Sequence, residues 1–332
     1  MPASLFEDPL PTIGTSDSVC PGQWPHMEKF DFDTYVPGDT KIDKFICEDW
    51  EALLATCAAG QENEIFHRFP ASADMAAGRQ RTVDWELPII LDCGTSSYHD
   101  TEVRLNHMQN NIAGRFIVLW GDGQTFLRDT WFKVKWPDKF PTMCTFAGEL
   151  HGRFHVQAAD LRMNMMLIYQ PLFMHFGVRG FTGKTLPMKS YGGLETWTFI
   201  FLAGTLRWLR KVYTEAELQD PKKLLQQVRL NLPVSNQIGW ALYFGAFIFG
   251  NMKAVRISDS DRLDFMWRYS CMMYSMSNKF QYRTLCLMNS KLLEDCEPNV
   301  RALVKKWRTY TAHGRPCSGG ELDMLRERVS TC

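Results

Sequence analysis

The 332-residue chain has no C-x-x-C pair, although it carries ten cysteines (Cys20, Cys47, Cys57, Cys93, Cys144, Cys271, Cys286, Cys296, Cys317 and Cys332). That scatter excludes a zinc ribbon and a disulfide scaffold. Cys144 in "TMCTF" and Cys286 in "TLCLM" stand among apolar neighbours, where a reduced thiol packs as a small hydrophobe. Apolar runs long enough to span a bilayer are also missing: the longest, "WTFIFLAG" and "WALYFGAFIFG", are too short. The opening "MPASLFEDPLP" lacks the cationic start and apolar core of a secretory signal. These features predict a reducing, intracellular setting, nuclear or cytoplasmic, with no membrane partner. There is no internal repeat and no low-complexity tract. "GDGQT" lacks the lysine and glycine spacing of a P-loop, and no H-E-x-x-H metalloprotease pattern occurs. No small-molecule cofactor is indicated.

What is present reads as a folded protein: 45% hydrophobic residues, 22% charged, with 11 Trp and 22 Phe to fill an interior. Net charge is zero but unevenly spread. Residues 1–100 hold 18 Asp+Glu against 6 Lys+Arg, so the remainder carries a balancing excess of cations. The acidic first third and basic remainder can pack together, or the basic part can face a polyanion.

Patterning divides the chain into three regions. Residues 1–85 are acidic and turn-rich, with one amphipathic helix in "TKIDKFICEDWEALLATCAAG". Residues 86–180 read as an α/β unit. It runs from "WELPIILDCGTSS" through a helix in "SYHDTEVRLNHMQNNIAG", an inner strand "FIVLW" and a helix in "QTFLRDTWFKV". A second strand in "TMCTFAGELH" and a long helix from Arg153, kinked or stopped near Pro171, complete it. Strand–helix–strand–helix order predicts mostly parallel pairing. Residues 181–332 read as helices only, from "ETWTFIFLAGTLRWLRKVY" and "DPKKLLQQVRLNL" to "PNVRALVKKWRTYTAHG" and a closing "GGELDMLRERVS".

Asp122, between two glycines at the end of "FIVLW", has two readings. Asp-Gly after a strand is a common turn. Alternatively, phosphoryl-transfer enzymes of the retroviral-integrase type place a carboxylate on a central strand to help hold two divalent cations. Mg²⁺ would need further oxygen ligands. Glu149, read as lying on the next strand, and Asp323 or Glu327 on a returning final helix are the candidates. His151 and His155 are four apart, but Gly152 falls between them at what reads as a strand-to-helix junction, which disfavours zinc. "SDSDRLD" (258–264) reads as helix capping, not a calcium loop. Glu321, Asp323 and Glu327 alternate with Arg326 and Arg328, the pattern of a solvated helix face. "RWLRK" (207–211) and "KKWR" (305–308) set cations beside Trp, a composition suited to nucleic-acid backbone contact and base stacking.

Taken in order, "VLWGDGQTFLRD", "GRFHVQAADLRMN" with "HFG", "NKFQY" and "TAHGRPCSGGELDMLRERV" resemble a family of uncharacterised, transposon-associated proteins abundant in fungi. The resemblance covers about residues 86–330 and rests on Gly121, Asp122, Gln124 and Thr125, on Gly152, Phe154 and His155, on Lys279 and Tyr282, and on Gly314, Asp323 and Glu327. The chain departs from the family pattern at three places. Gly123 is inserted after Asp122, Arg153 replaces a small or acidic residue, and His313 or a neighbour replaces an asparagine. An early Asp-Asn strand has no clear counterpart; Asp92 falls too close to Asp122. The resemblance implies a ribonuclease-H-like transposase ancestry and DNA as partner.

The expectation is therefore an RNase H-like α/β unit with a large all-α remainder, derived from a transposase and binding nucleic acid. A live site would use Asp122, His155 and Glu327 catalytically and Asp122, Glu149 and Asp323 to hold Mg²⁺, with His155 orienting a water or contacting phosphate. One carboxylate cannot hold two cations about 3.5–4 Å apart. Asp122 is accordingly expected to be a remnant that ends the strand and caps the succeeding segment. The rival expectation is a non-enzymatic protein-interaction or structural module.

Overall fold

The computed structural model describes residues 48–49, 51–53, 97–111, 117–178, 191–218, 220, 223, 235–311 and 319–321. Most of the acidic first region, residues 85–96 of "WELPIILDCGTSS", the segment "LLQQVRLNL", and His313, Gly314, Asp323 and Glu327 of the closing segment lie outside them.

The α/β unit begins with α1 (Tyr98–Asn111), followed by β1 (Ile117–Gly121), α2 (Gly123–Lys135), β2 (Met143–Ala147) and α3 (Glu149–Met163). β1 and β2 are parallel, in register from Ile117↔Met143 to Gly121↔Ala147. Among the described residues they form a two-stranded sheet, so the parallel pairing expected from the element order is present. β2 is the more deeply buried of the two, covered at all five positions, whereas Val118, Leu119 and Trp120 of β1 are only partly covered. The uniformly apolar "FIVLW" therefore does not mark a strand sealed on both faces. α2 packs on both strands and sends the buried Asp129 to accept from Thr145 Oγ1 of β2 at 2.9 Å and to pair with Arg104 of α1.

α3 begins at Glu149, so Glu149 is a helical residue and not a strand residue, and Gly152 sits inside the first turns of the helix. The break in the long helix comes earlier than Pro171. After Asn164 the backbone widens into a π-turn (Met165–Tyr169) and resumes as α4 (Gln170–His175), where Pro171 occupies the first turn. A proline ring clashes with the carbonyl four residues back, and widening the preceding turn relieves that contact. The Asn164 carbonyl accepts from Ile168 N at 3.0 Å and from Tyr169 N at 3.4 Å. Asn164 Nδ2 and Tyr169 Oη both donate to the buried Asp160, at 2.6 and 2.7 Å. Burial still pushes that carboxyl up to about 6.

The remainder is mostly helical: α5 (Tyr191–Val212), α6 (Glu215–Leu218), α7 (Ser235–Ile257), α8 (Ser260–Met276), α9 (Phe280–Asp295) and α10 (Pro298–Lys306). It is not wholly so. α10 stops at Lys306, and β3 (Thr309–Thr311) pairs antiparallel with β4 (Gly319–Glu321), placing Glu321 on a strand. α3 packs against α5, α7 and α8, and α9 packs on α2 and β2. One continuous core unites them, from Phe126, Phe146 and Val156 through Phe247 and Trp267 to Leu285 and Val300. Cys144, Cys271, Cys286 and Cys296 are free, buried thiols. No described helix is long and apolar enough to cross a membrane.

Candidate functional site

The site is built at the end of β1. A side chain on Gly121 would meet Thr125, with its β-carbon 2.8 Å from Cγ2, so this turn requires glycine. Asp122 is the N-cap of α2, and its Oδ1 accepts from Thr125 N at 2.7 Å. That bond satisfies one of the backbone donors left open at a helix start. Gly123 has its own reason. A β-carbon there would lie 2.8 Å from Leu285 Cδ1, so its absence lets α9 approach the strand end.

α9 brings Tyr282 and α3 brings His155. Their rings meet at 4.0 Å between centroids, and Tyr282 Oη lies 2.5 Å from His155 Nε2. Burial, then the neighbouring Lys279, His151 and Arg162, holds His155 down to about 3. Burial, then Asp122, raises Tyr282. The imidazole is neutral and the phenol keeps its proton, so the two share one hydrogen bond whose direction follows the imidazole tautomer. Lys279, the N-cap residue of α9, holds its Nζ 5.4 Å from the Tyr282 ring centroid. Burial and Arg162 bring it down to about 8. Residues that the sequence holds 160 positions apart, Asp122, His155, Lys279 and Tyr282, thus share one neighbourhood.

Beside it, α2 and α9 enclose an open cleft of about 490 Å³. Gln124, Arg128 and Trp131 of α2 and Gln281, Tyr282 and Thr284 of α9 are among its walls.

Glu149 belongs to a different construction. It is buried, and its Oε1 accepts from Trp267 Nε1 at 2.9 Å and from Arg308 Nε. Arg308, itself buried, also pairs with Asp264, which Lys305 reaches at 2.9 Å. The "KKWR" cluster is therefore turned inward in part: Lys305 and Arg308 are occupied by Asp261, Asp264 and Glu149. "RWLRK" differs, with Arg207, Trp208, Arg210 and Lys211 all exposed on the last turns of α5. Gly152 is explained by packing, since a β-carbon there would lie 2.6 Å from Trp267 Cη2, and its carbonyl accepts from Tyr274 Oη at 2.8 Å. "SDSDRLD" does cap a helix: Asp259 Oδ1 accepts from Arg262 N at 3.1 Å.

The Mg²⁺ set is not assembled by the described residues. Asp122 is engaged by the α2 backbone and Glu149 by Trp267 and Arg308. No group of three or more His, Cys, Asp or Glu side chains suited to a metal occurs among the described residues. Asp323 and Glu327 lie outside them. Sequence reading missed Asn289, whose buried Oδ1 accepts from Ala147 N at 2.9 Å and finishes the edge of β2. It also missed the anchoring roles of Trp267 and Arg308. No signal marks these residues, because each partner lies more than 100 positions away. Comparison of the chain with family models, curated proteins and solved structures finds no match.

Proposed function

We propose that this chain is a transposase-derived domain of ribonuclease-H-like ancestry that binds nucleic acid, and in which the strand-end carboxylate has become structural. The observation that carries this reading is the convergence of Asp122, His155, Lys279 and Tyr282, from three separate elements, beside a cleft walled by Arg128 and Trp131. Those four residues are among the ones on which the family resemblance rests. The exposed Arg207, Trp208, Arg210 and Lys211 add a second cationic, aromatic surface. Cations contact phosphates and aromatic faces stack on bases. Asp122 caps α2 and Glu149 is bound by Trp267 and Arg308, so no phosphoryl-transfer step is assigned to them.

A salt series of DNA binding tests the reading. Affinity should fall steeply with salt, because each neutralised phosphate releases counterions. Mg²⁺- or Mn²⁺-dependent nuclease activity should be absent in the native protein and in Asp122→Asn alike. A native activity abolished by that substitution, with folding intact, would establish a working site. Absent or salt-insensitive DNA binding would favour a protein-interaction module. That second reading is supported by the exposed Met166, Leu167, Met174 and Phe176 around the π-turn and α4.

A further inference from the structure

The cleft between α2 and α9 has a lining of unusual chemistry for a groove between two helices. Gln124, Arg128 and Trp131 succeed one another at the i, i+4, i+7 spacing of a single helix face, about 10 Å end to end. Trp131 is 51% exposed, a large aromatic left half in solvent at a cleft wall. Gln281 and Thr284 stand opposite on α9. Among the described lining residues none is acidic, and Leu127 and Leu285 are the aliphatic ones. Arg128 Nη1 is buried yet has no hydrogen-bond partner among the described residues, and an unmet buried donor is costly.

This composition discriminates between ligand classes. A helical peptide seeks a continuous apolar groove, whereas Gln124, Arg128, Gln281 and Thr284 interrupt the apolar lining of this one. A cationic metabolite would need a carboxylate. A nucleotide uses all the groups present. Its base has a face for the Trp131 indole, its edge carries donors and acceptors that side-chain amides can pair, and its phosphate accepts from a guanidinium. The volume of about 490 Å³ lies within the usual range for small-ligand clefts, roughly 300–1,000 Å³. A base paired inside a duplex shows only its edges, so its face cannot reach an indole.

We propose that this cleft holds one unpaired nucleotide, with the base on Trp131, its edge against Gln124 and Gln281, and the phosphate at Arg128, so that the domain grips single-stranded or splayed-out nucleic acid. The proposal rests on the nucleic-acid-binding reading and narrows it to unpaired strands.

The test is fluorescence anisotropy with the full chain, using a labelled thymidine 12-mer and a labelled duplex, each across a salt series. The native protein should bind the single strand more tightly than the duplex. Trp131→Ala should weaken single-strand binding by roughly 5- to 150-fold, the equivalent of about 1–3 kcal/mol for one stacked base. It should leave duplex affinity and the salt slope unchanged, and Trp131→Phe, which keeps a ring, should restore most of the binding. A urea midpoint for each variant separates lost contact from lost folding. Single-strand binding that is steep in salt but identical in native protein and Trp131→Ala would overturn the cleft assignment while leaving nucleic-acid binding in place. If neither polymer binds, the nucleic-acid-binding function itself fails. Thymidine monophosphate then decides the cleft: binding lost in Trp131→Ala supports it, and no binding ends it.

Discussion

The indole of Trp267 fills the space that a side chain on Gly152 would need, with its Cη2 2.6 Å from where a β-carbon would stand. The same indole donates to Glu149, three residues earlier on α3. One side chain of α8 therefore fixes both the approach and the register of the helix that carries His155.

Gly152→Ala is expected to lower stability by about 1–3 kcal/mol, because the rigid indole must move or α3 must separate from α8. Gly204, in the middle of α5 with open space around it, is the control. Alanine there should raise stability by about 0.5–1 kcal/mol through helix propensity. Urea unfolding of both variants checks this pair of opposite signs. An unchanged midpoint for Gly152→Ala would show that the two helices do not meet as described.

At Asp122 the expected cost of alanine is about 0.5–2 kcal/mol, and asparagine should stay close to the native protein, since either amide or carboxylate oxygen can cap. Thermal unfolding distinguishes them. If asparagine were as damaging as alanine, the negative charge itself would have a use beyond capping.

His155 makes a pH prediction whose sign is fixed by burial. Its folded-state value is lowered from 6.5 to about 3, so the unfolded chain takes up a proton that the folded chain refuses. The contribution of this residue to stability is complete above pH 6.5 and is lost progressively as pH falls towards 3. Between about pH 7.5 and 5 the native protein should lose more stability than His155→Gln. An imidazole NMR titration should find His155 neutral at about pH 5; a midpoint near 6.5 would contradict the partial burial of the imidazole against Tyr282.

Arg308→Met should cost about 3–5 kcal/mol, because it leaves Glu149 buried without its guanidinium and deprives Asp264 of one of its two cations. Adding Glu149→Gln should recover part of that loss, and a double-mutant cycle in urea measures how much. On α5, Arg207→Ala with Lys211→Ala should do the reverse, changing stability by less than about 0.5 kcal/mol while weakening DNA binding and flattening its salt dependence. Equal effects on DNA affinity from both sets would remove the distinction between inward and outward cations.

Local chemistry is legible in the sequence where a residue's reason lies within a few positions of it. Asp122 as the cap of α2, Asp259 as the cap of α8, and the strand "MCTFA" all come from short-range pattern. Glu149 is misplaced by sequence reading because Gly152 looks like a helix breaker, whereas tertiary packing against Trp267 favours glycine inside α3. Cations at "KKWR" read as suited to nucleic-acid contact because their acidic partners Asp261, Asp264 and Glu149 come from other elements. β3 escapes notice for a simpler reason: its segment is too short to show an alternating period.

The parallel register of β1 and β2 has an electrostatic consequence. Gly121 and Ala147 are paired, so both strands end at the same edge, and the helix after each one starts there. The positive ends of two backbone macrodipoles, those of α2 and α3, are thus delivered to one side of the sheet. Asp122 stands at the first and Glu149 at the second. Two carboxylates after two parallel strands resemble a ligand pair for a divalent cation, yet here each acid meets the partial charge of a helix that the strand direction has brought to it.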